Sequence, residues 1–172
     1  MIWATHVEYG GTDRTMSITF SKILHPTDFS ELSLHALGFA RRLAEAFDAQ
    51  LHCLHVIDEA YQYWSAVGPE MAPVTPPVED LTTLADGQMQ RFSDDHLIGL
   101  KYPAVTKVVF GKPFAEIVRY ARECSIDLIV LATHGRGGLT HVLLGSTAEK
   151  VVRKAPCPVL TIRDPKHEFT MP

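Results

Sequence analysis

A glycine-rich segment near the carboxyl end of the chain contains residues that could bind a phosphate group. An unbroken apolar run over residues 128–132 predicts a strand buried on both faces, and the glycines that follow allow backbone N–H groups to approach an anion. Ser146 and Glu149 form a Ser-x-x-Glu capping box and predict that Ser146 caps a helix. Because a helix N-terminus favours negative charge, Gly135, Gly145 and Ser146 could cradle a phosphate. The same residues also suit a tight turn and a plain helix cap, so the spacing leaves both interpretations open.

The spacing of these residues resembles the signature of a known family. Gly135, nine further residues, Gly145-Ser146, a short helix and then residues 155–160 resemble the C-terminal signature of the universal stress protein family, in its ATP-binding branch. The resemblance covers about residues 19–163. The family pattern has another glycine three positions before Gly135, where this chain has Ala132. The alanine adds a methyl group where ATP-binding members bring their backbone close to the nucleotide.

The resemblance implies a bound adenine nucleotide, ATP first, accompanied by Mg²⁺ held largely by phosphates and water. It places adenine against the backbone near the end of the second strand, and the ribose and phosphates around the fourth strand and its loop. From the residues alone, Asp28 also suits an Asx-type turn, and Arg136 could pair with phosphate oxygens or remain solvated. The matching nucleotide-binding positions are Pro26, Thr27, Asp28, Val56, Leu131, Ala132, His134, Gly135, Arg136, Gly145, Ser146 and Thr147.

Alternating strand and helix patterns predict the elements that position these residues. Apolar runs predict strands over residues 18–25, 51–57, 105–110, 128–132 and 159–163. Helical spacing predicts helices that begin after Ser30, near Leu81, at Pro113 and at Ser146. This alternation is typical of a doubly wound α/β fold. The resemblance implies a Rossmann-like, five-stranded parallel sheet of order 3-2-1-4-5 with helices on both faces. A crevice is then expected above strands one and four, where the order reverses.

Length and composition predict a single domain. The chain has 172 residues, of which 46% are apolar and 21% charged, which is typical of one globular unit. We expect that unit, a universal stress protein-like domain, to span residues 18–164. Residues 1–17 lack sustained periodicity and are interpreted as a disordered extension, with Met16 as an alternative start, and residues 165–172 as a tail. Residues 58–77, rich in proline and aromatic residues, predict a long surface loop, either a lid or a variable insertion.

Charge and cysteine content predict the compartment and exclude some partners. The net charge of −4 and the scattered basic residues argue against a nucleic-acid partner. Three widely spaced cysteines suit buried thiols in a reducing compartment, so we expect a cytoplasmic protein. No apolar run approaches the ~18 residues that span a bilayer, and the start lacks a secretory signal. His52 and His55 fall on opposite faces of a strand, and His134 and His141 have no Cys or carboxylate partner at ligand-like spacing, so no metal site is expected.

The sequence predicts binding more readily than catalysis. It contains no nucleophile elbow, Walker loop or Cys-His arrangement, so we assign no catalytic residue. We expect an ATP-binding, homodimeric sensor or regulator of the stress response. Two alternatives stay open: a slow ATPase or phosphotransfer enzyme that uses the same pocket, and a nucleotide-free homodimeric interaction protein. By resemblance the dimer forms through the last strand, and pairing would protect its apolar edge, which consists of Val159, Leu160, Thr161 and Ile162.

Overall fold

The computed structural model describes residues 18–58, 78–133 and 144–163. The predicted extension and tail lie outside the described residues, as does nearly all of the predicted loop. The strands are β1 (Lys22–Pro26), β2 (Gln50–Asp58), β3 (Val105–Gly111), β4 (Leu128–Ala132) and β5 (Val159–Ile162). The helices are α1 (Glu31–Phe47), α2 (Val78–His96), α3 (Pro113–Glu123) and α4 (Ser146–Lys154). None of these helices is both long and apolar enough to cross a membrane.

The strands form one parallel sheet of order β3-β2-β1-β4-β5, which confirms the predicted topology. Successive residues of a strand point to opposite faces, and β1 shows the consequence. Ile23 joins the core beneath α1 and α2, whereas its neighbour Leu24 joins the core beneath α3 and α4. Both residues are fully buried. The strands therefore require helices on both faces of the sheet, which is why they read as continuous apolar runs.

The two predicted serine caps differ in outcome. The prediction for Ser30 is confirmed, since it caps α1 and its hydroxyl accepts a hydrogen bond from the Ser33 N–H. The prediction for Ser146 is wrong, because the cap of α4 is Gly145 and Ser146 is already the first helical residue. The Gly145 N–H donates to the Thr133 carbonyl at 2.7 Å, and this bond fixes where the chain enters the helix. The Ser-x-x-Glu motif could not predict this cap, because the contact joins Gly145 to a residue outside the motif.

Glu149 consequently has a different role from the predicted capping box. Its carboxylate lies 3.4 Å from the Arg153 guanidinium, one helical turn further along α4. Both side chains are exposed, so this pair contributes little to stability. An acid in the first turn nevertheless complements the positive end of the helix.

Asp127 joins the amino ends of β1 and β4. One of its carboxylate oxygens accepts hydrogen bonds from the N–H groups of Ser21 at 2.7 Å and Lys22 at 2.9 Å. Its own N–H donates to the Lys22 carbonyl at 3.0 Å. Strand β1 accordingly begins at Lys22 instead of the predicted residue 18, because β2 and β4 begin only at this level of the sheet. The carboxylate therefore sets the register of the two central strands.

We expect Asp127→Ala to lower the free energy of unfolding by about 2 kcal/mol, because two backbone N–H groups lose a charged acceptor. Urea denaturation at constant m-value measures the change. The control Asp86→Ala removes an exposed carboxylate from α2 and should change stability by no more than about 0.5 kcal/mol. Equal effects of the two substitutions would contradict the role assigned to Asp127.

Candidate functional site

The carboxyl ends of β1 and β4 separate and leave a crevice at the centre of the sheet. Backbone pairing of β1 with β4 stops at the level of Leu24 and Ile129, whereas its pairing with β2 continues to Pro26 and Leu54. The strand order also reverses between β1 and β4. In open parallel sheets such a reversal is where ligands bind, outside the carboxyl ends of the strands.

The turn after β1 forms one wall of this crevice. Thr27 is buried, and its N–H continues the ladder by donating to the Leu54 carbonyl at 2.9 Å. Asp28 is half-buried, and its Oδ1 accepts from the Ser30 N–H at 3.1 Å and the Ser30 hydroxyl at 2.6 Å. These contacts are those of the Asx-type turn that the sequence also allowed. The turn thus holds Asp28 in place at the crevice.

The end of β4 and the start of α4 form the opposite wall. Leu131 is buried and Ala132 is half-buried at the end of the strand. Thr133 follows, and its carbonyl accepts the Gly145 N–H at 2.7 Å, which brings the first turn of α4 beside the strand end. The first N–H groups of a helix have no intrahelical acceptor, so Ser146 and Thr147 present donors and a positive helix end here. Three predicted positions, His134, Gly135 and Arg136, lie outside the described residues.

Strand β2 adds a third side to the site. Val56 is half-buried and lies in register with Val109 of β3. His55, the residue before it, has Nδ1 2.8 Å from the Thr27 carbonyl, so the ends of β1 and β2 are tied together. The described predicted site residues therefore gather around three neighbouring strands and one helix start.

The sequence interpretation missed His25, which is fully buried between the two walls. Its Nδ1 lies 3.0 Å from the Val130 carbonyl of β4, and its Nε2 lies 3.4 Å from the Ser33 hydroxyl of α1. The Ser33 hydroxyl in turn lies 2.9 Å from the Thr27 hydroxyl. The sequence did contain a signal for this residue, because His25 directly follows two apolar residues in a strand that is buried on both faces.

Burial lowers the pKa of His25 to about 4, although the Val130 hydrogen bond and the charge of Asp28 both act to raise it. The ring is therefore uncharged at neutral pH. Because its Nδ1 faces a carbonyl, which can only accept, Nδ1 carries the proton and Nε2 is an acceptor.

The other candidate ligands are separated in the structure. Cys53 is buried, and burial raises the pKa of its thiol to about 12. Cys124 and Cys157 are only half-buried, which corrects the expectation that all three thiols are buried. His52 contacts the Tyr120 hydroxyl at 2.9 Å, away from His55 and the crevice. Among the described residues, no three His, Cys, Asp or Glu side chains are grouped to hold a metal ion.

Together the sheet order and the crevice define a doubly wound α/β protein with a crevice at its switch point, the position where such sheets bind ligands. The model of the universal stress protein family matches residues 19–163, and the chain belongs to this family. It is similar to universal stress protein MJ0531 of Methanocaldococcus jannaschii, with 35% identity over 87% of this chain and 85% of the relative. Universal stress protein MJ0577 of the same organism is 31% identical over 86% of this chain and 98% of the relative.

Solved structures show the same fold. The structure of MJ0577 superposes with a TM-score of 0.72 at 30% identity, covering 87% of this chain and 99% of the other. The universal stress protein UspA of Lactobacillus plantarum gives a TM-score of 0.69 at 28% identity, over 85% and 99% of the two chains. A universal stress protein solved in complex with cAMP shares the fold, with a TM-score of 0.60 at 20% identity over 85% and 98%.

We expect acid to destabilise the protein through His25. Between about pH 6.5 and about pH 4 the unfolded chain binds a proton at His25 that the folded protein does not, so stability falls as the pH falls. Across this whole pH range the free energy of unfolding decreases by about 3 kcal/mol. Urea denaturation across this range measures the slope, which should be shallower in His25→Asn. His35→Gln, which changes an exposed histidine of α1, should keep the wild-type slope. Equal slopes in His25→Asn and wild type would exclude His25 as the cause.

Proposed function

We propose that the crevice binds an adenine nucleotide, with ATP as the first candidate, and that the phosphates lie at the start of α4. The observation that carries the proposal is the 2.7 Å hydrogen bond between the Gly145 N–H and the Thr133 carbonyl. It holds the positive end of a helix against the carboxyl end of β4, at the switch point of the sheet. A phosphate there would meet backbone donors without needing a buried cationic side chain.

Individual residues would contribute in different ways. The N–H of Gly145 is already used by Thr133, so this residue would contribute by having no side chain near the phosphates. Ser146 and Thr147 would donate their backbone N–H groups. His134, Gly135 and Arg136 would complete the phosphate side, with Mg²⁺ carried mainly by the phosphates. Ala132 ends β4, and its methyl group would have to fit beside the nucleotide.

The nucleoside would occupy the side of the crevice formed by β1 and β2. Pro26, Thr27 and Asp28 lie there, and the backbone of Val56 would meet the adenine. The fold is able to hold an adenine nucleotide, since the universal stress protein solved with cAMP shares it. This likeness and the family signature support adenine over the other bases.

We further propose that occupancy of the crevice regulates partner binding by a cytoplasmic homodimer in the stress response. The cytoplasmic assignment is supported by free thiols at Cys53, Cys124 and Cys157. The dimer is supported by the position of β5 at an edge of the sheet, where Leu160 is 37% exposed. An apolar edge strand presents unpaired backbone groups that a second copy can satisfy.

We expect freshly purified protein to release an adenine nucleotide on denaturation, identified by mass spectrometry. Stripped protein should bind Mg-ATP in a calorimetric titration. Ser146→Asp should weaken that affinity by at least about tenfold, because the new carboxylate repels phosphate. An acid at this position also stabilises a helix, so the substitution should not lower Tm.

Ser146→Asn is the matched control, because asparagine has nearly the shape of aspartate and no charge. It should bind Mg-ATP within about threefold of wild type, since it adds no repulsion. Equal losses of affinity in both variants would indicate that the phosphates do not lie at the start of α4. No released nucleotide and no heat with wild-type protein would reject nucleotide binding. Phosphate release during incubation with Mg-ATP would favour the slow ATPase instead.

We expect Leu160→Asp to give monomer or insoluble protein, because a charge on β5 opposes pairing across the twofold axis. Light scattering and size-exclusion chromatography measure the molar mass. The control Lys107→Asp changes the charge of an exposed residue on β3, at the opposite edge of the sheet, and should leave the dimer intact. A soluble dimer of Leu160→Asp would rule out this interface.

A further inference from the structure

A continuous chain of hydrogen bonds crosses the base of the crevice. It starts at the Val130 carbonyl, passes through His25 and Ser33 to the Thr27 hydroxyl, and ends at the N–H of Phe29, which donates to Thr27 Oγ1 at 3.0 Å. The side chains of the three central residues are shielded from solvent, with exposures of 0% for His25, 2% for Ser33 and 5% for Thr27. Buried polar groups of this kind hold their geometry strongly, because a lost partner cannot be replaced by water.

The Val130 carbonyl fixes the tautomer of His25. His25 donates from Nδ1 to this carbonyl, which leaves the lone pair of Nε2 facing the Ser33 hydroxyl at 3.4 Å. The Ser33 hydroxyl donates to Thr27 Oγ1 at 2.9 Å. The neutral ring is therefore linked to the turn through the Ser33 oxygen.

The chain replaces backbone pairing where that pairing ends. Strands β1 and β4 are paired up to Leu24 and Ile129, and His25 is the next residue of β1. Beyond that level the imidazole provides the contact between the strands, at the point where the crevice opens. The imidazole thus bridges β1 and β4 at the base of the crevice.

We infer that His25 is a positioning residue for the nucleotide, acting through Ser33 on the turn formed by Thr27 and Asp28; this inference rests on the proposed function of the crevice. His25 holds the turn in its binding arrangement before the ligand arrives. The conformational entropy of the turn is then lost during folding and not on binding, and this increases the affinity for the ligand. His25 touches no ligand in this scheme, and its effect is transmitted by the two hydroxyl groups.

The test uses Ser33→Ala, which breaks the chain between His25 and Thr27 and removes one small oxygen. We expect its affinity for Mg-ATP, measured by calorimetry, to fall by about tenfold, as for loss of a buried hydrogen bond. Ser33→Thr keeps the hydroxyl and should recover most of the affinity. Ser93→Ala removes a serine from the last turn of α2 and should bind as tightly as wild type. Unchanged affinity in Ser33→Ala would overturn the inference.

A second measurement does not need a ligand. In nucleotide-free protein, ¹⁵N NMR should show the His25 ring protonated at Nδ1 only, with an Nε2 signal that shifts in Ser33→Ala. Hydrogen exchange at the Phe29 amide should accelerate by about tenfold in that variant, because its acceptor Thr27 is no longer held. An Nε2-protonated ring, or unchanged exchange, would reject the role of His25. If wild-type protein binds no nucleotide, the proposed function fails, whereas these two readouts still decide whether His25 organises the turn.

Discussion

The two central strands, β1 and β4, are joined at their amino ends and separate at their carboxyl ends, and the crevice exists because of this difference. At the amino end the Asp127 carboxylate and the backbone of β1 hold the strands in register. At the carboxyl end their backbones separate, and His25 links β1 to β4 through the Val130 carbonyl. A sheet paired along its full length would close the crevice, and one without the histidine would leave a buried carbonyl without this donor.

The turn after β1 shows how packing supports an unusual backbone. Phe29 has a φ of 61°, a left-handed conformation that is uncommon for a bulky residue. Its ring packs against His55 with centroids 4.5 Å apart and against Phe92 of α2 at 5.5 Å, and its N–H is held by Thr27. Packing of the half-buried ring against these neighbours offsets the strain of the backbone. Such strain is often found at ligand sites, because it fixes side chains where a relaxed turn would not.

In the part of the crevice that the structure describes, polarity comes from the backbone more than from buried charges. Burial keeps the His25 ring uncharged, and the positive potential beside β4 comes from the first turn of α4. This helix is placed by the Thr133 carbonyl, and Thr133 is in turn held by its N–H to the Ile162 carbonyl of β5 at 2.9 Å. The edge strand through which the dimer is proposed to form is therefore one hydrogen bond from the residue that positions α4. The proposed dimer interface and the proposed ligand site therefore share part of their support.

Local sequence patterns were enough to predict the succession of strands and helices, the buried strands and the Ser30 cap, because apolar periodicity and local capping act over a few residues. The family signature, with the sheet order that it implied, was also carried by residue types and spacing. The Gly145 cap of α4, in place of Ser146, could not be predicted, because it depends on a hydrogen bond to Thr133, twelve residues earlier in the chain. Tertiary structure also gave His25 its role, since its partners Val130 and Ser33 lie on β4 and α1. A local sequence pattern depends only on residues that are close along the chain. These contacts join residues that become neighbours only when the sheet forms, so such a pattern cannot predict them.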